Sequence, residues 1–102
     1  MSYILTPQAE NDLEDIARHT LSNWGTDQFY RYRDSLKHTF ENIGNGAVVG
    51  REFSSKYSGL KVTRCQQHYV FYLDEGTPTI IGIIHERMDV VSRLTERLES
   101  GD

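Results

Sequence analysis

The side chains able to do chemistry crowd into one short stretch, His85-Glu86-Arg87-Met88-Asp89, which follows directly on the apolar run Thr79-Ile80-Ile81-Gly82-Ile83-Ile84. An imidazole, a guanidinium and carboxylates held this close can move a proton, grip an anion or simply neutralise one another. Upstream, Lys61, Arg64, Cys65 and His68 add two cations, a thiol and another imidazole. Cutting RNA through its 2′-hydroxyl would need a base, an acid for the departing 5′-oxygen, and several cations around the crowded phosphate. Metal or thiol chemistry finds less to work with. Cys65 and His68 lack a paired cysteine or a further histidine at ligand spacing, so neither metal nor cofactor is expected and Cys65 reads as a small apolar strand residue. For His85, Arg87 and Asp89 the plain alternative is structural. They alternate, so on an extended strand end they would share one side, with Arg87 paired to Asp89 or to an acid of the first helix.

The elements that must position these groups are three apolar runs of strand length, Leu60 to Cys65, Tyr69 to Leu73 and Thr79 to His85, rich in Val, Ile, Tyr and Phe. The breaks are short, Gln66-Gln67-His68 and then Asp74 to Pro78, which suits hairpins and excludes helical crossovers. An antiparallel three-stranded meander is predicted. The alternation around Tyr69, Phe71 and Tyr72 predicts that these rings divide between the two faces of the sheet, one set in the core, rather than forming a base-stacking platform.

Before the meander, Tyr3, Ile4 and Leu5 form a first strand, ended by Thr6 as a helix cap and Pro7 at the first helical position. Ala9, Leu13, Ile16, Ala17, Thr20, Leu21 and Trp24 recur at three- and four-residue spacings and define one helix face, with Glu10, Asp12, Glu14 and Asp15 mostly turned away from it. Gly25 reads as the stop and Thr26 as the cap of a second helix, with Trp24 pinning the joint. Phe29, Tyr32 or Arg33, Leu36, Phe40 and Ile43 then mark that helix's apolar stripe, and Gly44-Asn45-Gly46 ends it. A loop from about 47 to 59 follows, with Phe53 and Tyr57 as anchors. After Asp89, Val91, Leu94 and Leu98 stand at helical spacing, with Asp89 as cap. A helix so short is marginal alone and must dock on its own sheet or on another protein. The expected class is α+β, β-α-α-β-β-β with a helical hairpin packed on a small, mainly antiparallel sheet and a possible short C-terminal helix, all in one domain spanning residues 1–102.

Composition bounds the partners. Eleven basic against fifteen acidic residues give a formal charge of −4, which argues against holding nucleic acid by bulk phosphate neutralisation, and no direct sequence-specific binding to nucleic acid is expected of the protein alone. The distribution is uneven: residues 1–46 carry seven acids and four bases, net −3, whereas residues 51–73 carry four bases and one acid, net +3. No apolar run approaches membrane-spanning length, the first residues lack the form of a signal peptide, and a single cysteine suits a reducing compartment. A cytoplasmic protein without a membrane partner is expected.

Taken in order, LTPQAENDLEDI, a helix ending in WG, the spacing of Phe29, Tyr32 or Arg33 and Leu36, GLK before a strand, HYVFY and finally IIGIIHERMD resemble the ParE branch of the RelE/ParE toxin superfamily from about Tyr3 to Asp89. The resemblance implies the toxin of a type II toxin–antitoxin module, which binds and inhibits DNA gyrase and is silenced by a small ParD-type antitoxin. RelE-type members of the superfamily instead cut messenger RNA on the ribosome, with lysines and arginines on the middle strands and an aromatic or equivalent group near the C-terminus. Here HYVFYL has no Lys or Arg, and Met88-Asp89-Val90-Val91 brings no tyrosine or histidine. The nuclease set, with Lys61, Arg64, Arg87 and His68 or His85 as its candidates, therefore reads as incomplete, and no catalytic residue is assigned. Arg64, His85, Arg87, Met88 and Asp89 are the candidates for target contact, and Val91, Leu94 and Leu98 those for antitoxin contact. Two alternatives stay open: a RelE-type ribonuclease, and a degenerate member that only binds its antitoxin and helps repress the operon.

Overall fold

The computed structural model describes residues 2–48, 50–53, 59–74 and 76–99. Its first helix begins as the cap residues dictate: the Ala9 N–H donates to the Thr6 hydroxyl at 3.2 Å, and Pro7 opens helix α1, Pro7–Trp24. One residue, Gly25, separates it from helix α2, Thr26–Gly44. Gly25 sits at φ 87° and ψ −179°, a conformation essentially reserved for glycine, and it caps both helices. Thr26, expected as the second cap, instead lies inside α2. Trp24 also departs from expectation, since it is 71 % exposed and does not pin the joint. With a single residue between the helices the chain has no slack to draw so large a ring between them, and Trp24 is left on the outside.

The strands are β1, Ile4–Leu5; β2, Arg51–Glu52; β3, Leu60–Cys65; β4, His68–Leu73; and β5, Thr79–His85. They form a sheet in the order β1-β5-β4-β3-β2, antiparallel except where β1 runs parallel to β5. The predicted meander is β3, β4 and β5. It differs in detail: His68 belongs to β4, leaving Gln66-Gln67 as the turn, with Gln66 at φ 55°. The loop before it holds the two-residue strand β2, too short for a period of two to declare itself. Phe53 does act as an anchor, its ring edge-on to Phe71 at 5.0 Å between centroids. Tyr57 lies outside the described residues.

Each face of the sheet has its own apolar cluster. On one, Tyr32, Leu36, Phe40 and Ile43 from α2 and Ala9 from α1 pack on Cys65, Val70, Tyr72, Ile80 and Ile83. The choice between Tyr32 and Arg33 falls to Tyr32, which is buried, while Arg33 is exposed. On the other face, helix α3, Val90–Glu99, lays Leu94 on Leu60, Phe71, Ile81 and Ile84, with Val90 and Leu98 beside it. Phe71 and Tyr72 do point to opposite faces, yet both are almost wholly buried, at 1 % and 2 % exposed. Covering by α3 turns a face that would otherwise be wet into a second core.

The ending of β1 at Leu5 has a consequence for β5. Because Thr6-Pro7 starts α1, β5 loses its neighbour beyond Ile80, just where a β-bulge sets Gly82 opposite Phe71 and Ile80 opposite Tyr72. Two side chains fill the gap from the two sides. Asp12 of α1 accepts from the Ile83 N–H at 2.9 Å, and Arg97 of α3 donates to the Ile81 carbonyl at 3.0 Å. Each also holds the other, Arg97 Nη1 and Nη2 meeting the two Asp12 oxygens at 2.6 and 2.7 Å. This paired hydrogen bonding raises the Arg97 pKa despite its burial. Glycine at position 82 makes room for the same clasp, because a Cβ there would lie 2.7 Å from Arg97 Nη1 and the guanidinium would have to shift.

Candidate functional site

A cleft of about 780 Å³ opens where the α1–α2 joint overhangs the β3–β4 turn and the end of β5. Its helical wall is His19, Thr20 and Trp24 from α1 with Gln28 and Tyr32 from α2; its sheet wall is Gln66, Gln67, His68, His85, Arg87 and Met88. The strand register makes the floor. His68 and His85 are direct cross-strand partners, so their rings meet edge to face with centroids 5.0 Å apart.

Those rings are held by specific hydrogen bonds. The Tyr32 hydroxyl contacts His68 Nδ1 closely and donates to the Cys65 carbonyl at 3.3 Å. The hydroxyl thus ties the imidazole of β4 to the backbone at the end of β3, and which of Tyr32 and His68 Nδ1 carries the shared proton follows the imidazole tautomer. Burial, and then the neighbouring His85, lower the His68 pKa to about 4, while burial raises that of Tyr32. His85 Nδ1 accepts from the Arg87 N–H at 3.0 Å, so neutral His85 carries its proton on Nε2.

The His68 shift makes a pH prediction. His68 touches Tyr32 of α2 and His85 of β5, and also feels the charges of Glu86 after β5 and of Asp12 and His19 on α1. The folded chain keeps it neutral down to about pH 4, whereas an unfolded chain protonates it near 6.5. Between those values the unfolded state binds the extra proton, so this contribution is complete above pH 6.5 and is lost as the pH falls towards 4. Melting temperatures across that window should fall more steeply for the wild type than for His68→Asn; equal slopes would refute the assignment.

Of the predicted target contacts, the cleft gathers His85, Arg87 and Met88. Arg64 is elsewhere, because β3 alternation puts it on the α3 face beside Tyr69. It is ion-paired with Glu86, bonded to the Gln66 carbonyl at 2.7 Å and stacked over the Tyr69 ring at 5.5 Å. Asp89 caps α3, accepting from the Ser92 N–H at 3.3 Å and from its hydroxyl at 2.9 Å. The expected pairing of Arg87 with Asp89 or an α1 acid is absent among the described residues. The alternation of positions 85, 87 and 89 fails because β5 stops at His85, where a Met88 N–H to His85 carbonyl bond of 3.0 Å closes a turn. Of the predicted antitoxin contacts, Val91 is 62 % exposed, Leu94 is buried at 1 % and Leu98 is half-buried against the sheet.

Sequence reading missed His19, Trp24 and Tyr32 as cleft residues and Asp12 and Arg97 as the clasp. Tyr32 and Trp24 read as core by spacing alone. Asp12 and Arg97 did carry a signal: Asp12 is three residues after Ala9 and four before Ile16, and Arg97 is three after Leu94. Opposite charges on the borders of two apolar stripes are placed to meet.

Among the described residues no group of three or more His, Cys, Asp or Glu side chains is placed to hold a metal ion, and no helix is long and apolar enough to cross a membrane. Comparison with known proteins gives the family. Residues 3–90 match the family described as ParE toxin of type II toxin-antitoxin system, parDE. The chain is 39 % identical over 100 residues to Toxin ParE of Escherichia coli, covering 96 % of this chain and 97 % of that one. It is 32 % identical over 90 residues to Toxin ParE1 of Mycobacterium tuberculosis, covering 86 % and 92 %. A solved structure titled chromosomal ParDE TA system from P. aeruginosa shares the fold, with a TM-score of 0.68 at 18 % identity over 83 % of this chain and 95 % of that one. The chain belongs to the ParE toxin family of type II toxin–antitoxin systems.

Proposed function

We propose that this toxin acts by occupying DNA gyrase in the cytoplasm, not by catalysis, and that a ParD-type antitoxin silences it. The observation that carries the non-catalytic reading is where the cations lie. Lys61 and Arg64 stand an odd number of positions apart on β3 and so on opposite faces, paired with Asp74 at 3.5 Å and with Glu86. Arg87 alone of the three candidate cations lines the cleft. A crowded phosphate needs more than one. His85, Arg87 and Met88 are then target contacts, while Arg64 and Asp89 serve the fold. Val91 is an antitoxin contact on the docked α3, and Leu94 and Leu98, packed against the sheet, would join it only if an antitoxin helix took the place of α3.

Supercoiling by purified gyrase should fall on adding the protein at micromolar excess, with cleaved DNA accumulating. Unchanged supercoiling at that excess would remove the proposal.

One observation favours a second reading. Tyr32, His68, His85 and Arg87 share a cleft, and Tyr32 supplies from α2 the aromatic hydroxyl that the C-terminal segment lacks. That set would suit a RelE-type ribonuclease and predicts severed transcripts in a reconstituted translation mixture, abolished by Arg87→Ala. The pKa of His68, about 4, argues against it, since an effective general base titrates near the working pH. A degenerate toxin that only binds its antitoxin would do no harm when expressed alone.

A further inference from the structure

The cleft has features that neither fold stability nor proton transfer uses. Trp24, 71 % exposed, and Met88, 46 % exposed, stand on its helical and sheet walls. Trp, Met and Arg are the side chains that interfaces concentrate, and so much tryptophan left in water is costly without a cover. The charges around the mouth are also unbalanced. Asp15 is paired with Arg18 at 3.1 Å, Glu86 with Arg64, and Asp89 caps α3. Arg87 has no ion-pair partner among the described residues, so the mouth presents a cation whose neighbouring acids are already engaged. Below it lie the His68 and His85 rings, held by Tyr32 and by the Arg87 backbone, with His85 Nδ1 accepting from the Arg87 N–H and so leaving its Nε2–H to donate.

We infer that this cleft is where the toxin grips its target, and that it receives a protruding protein loop whose carboxylate meets Arg87 and whose apolar neighbour lies between Trp24 and Met88. The inference rests on the gyrase reading and adds to it the gripping surface, the anchor residue and the chemistry of the segment gripped. A protein loop fits better than a nucleic-acid strand, because one uncompensated cation on a chain of net charge −4 cannot hold successive phosphates. The His85 Nε2–H of the floor matches the carbonyl of a peptide or carboxamide group, which accepts. Because the floor is fixed before binding, little ordering is left to be done on contact.

The test is the concentration of toxin that halves supercoiling by gyrase holoenzyme, measured for wild type, Trp24→Ala, Arg87→Glu and the control Arg51→Glu, which sits on the exposed strand β2 at the far sheet edge. Trp24→Ala and Arg87→Glu should each raise it by about tenfold or more, as expected for anchor residues, with Arg51→Glu unchanged. Melting temperatures within about 2 °C of wild type would confirm that the variants fold, as expected for exposed positions. If wild type inhibits and both cleft variants inhibit equally well, the inference alone fails. If wild type does not inhibit, the gyrase reading fails and takes the inference with it. Trp24 is the only tryptophan, so its fluorescence reports on the cleft directly. Quenching of that fluorescence by a single-stranded oligonucleotide without gyrase would assign the cleft to nucleic acid and overturn the proposal.

Discussion

Asp12→Ala is expected to destabilise the fold by about 3 kcal/mol and to loosen α3, although Asp12 lies in α1. Exposed ion pairs contribute little, up to about 1 kcal/mol, but this one is mostly covered, with side-chain exposures of 14 % for Asp12 and 20 % for Arg97. Removing the carboxylate strands a guanidinium against the sheet and takes away the acceptor that meets the Ile83 N–H where β5 has lost β1 as its neighbour. Breaking a buried pair costs about 3–5 kcal/mol and orphaning a buried amide about 1–3; partial solvent access to the pair brings the sum down to the figure given. For a domain of this size the melting temperature should drop by roughly 10–20 °C. Gly82→Ala should reproduce part of the effect, because its Cβ would displace Arg97. A shift under about 2 °C for Asp12→Ala would show that water replaces the clasp without loss.

Leu94→Ala should cost about 3 kcal/mol, within the range of about 2–5 found for emptying a buried leucine site. Leu94 is 1 % exposed, set among Leu60, Phe71, Ile81 and Ile84. Val91→Ala, on the exposed side of the same helix, should change stability by less than about 0.5 kcal/mol. Urea denaturation of the two variants separates a docked α3 from a loose tail: equal, small effects would mean that the helix contributes nothing to the fold. Asp12 and Leu94 both act by fastening α3. The double variant should therefore lose less than the two single losses added together.

Most local signals hold where residues act on their own neighbours, Thr26 excepted, which lies inside α2 because Gly25 already caps both helices. The Thr6-Pro7 start, the apolar stripe of α2, the meander and the Asp89 cap all rest on interactions within a few positions or on simple periodicity. Trp24 misled for the same reason: spacing placed it on the buried face, and only the one-residue joint at Gly25 put it in water. The C-terminal stripe was legible as a helix needing a surface, but the surface it covers was not. His68 and His85 looked like separate side chains. They became neighbours through the register of β4 on β5, which the turn and the bulge settle together.

The amino-acid sequence by itself determined the order of the helices and of every strand but β2, most of their apolar faces and the family likeness, because capping, periodicity and turn chemistry act over short distances along the chain. Only the tertiary structure decided that Asp12 and Arg97 close the edge of β5, that the cations of a nuclease are dispersed, and that Tyr32, His68, His85, Arg87 and Trp24 share one cleft. Those outcomes depend on which strand lies beside which, in what register, and on which face each helix docks. Such choices are made by packing among residues far apart in the chain, where no local pattern specifies them.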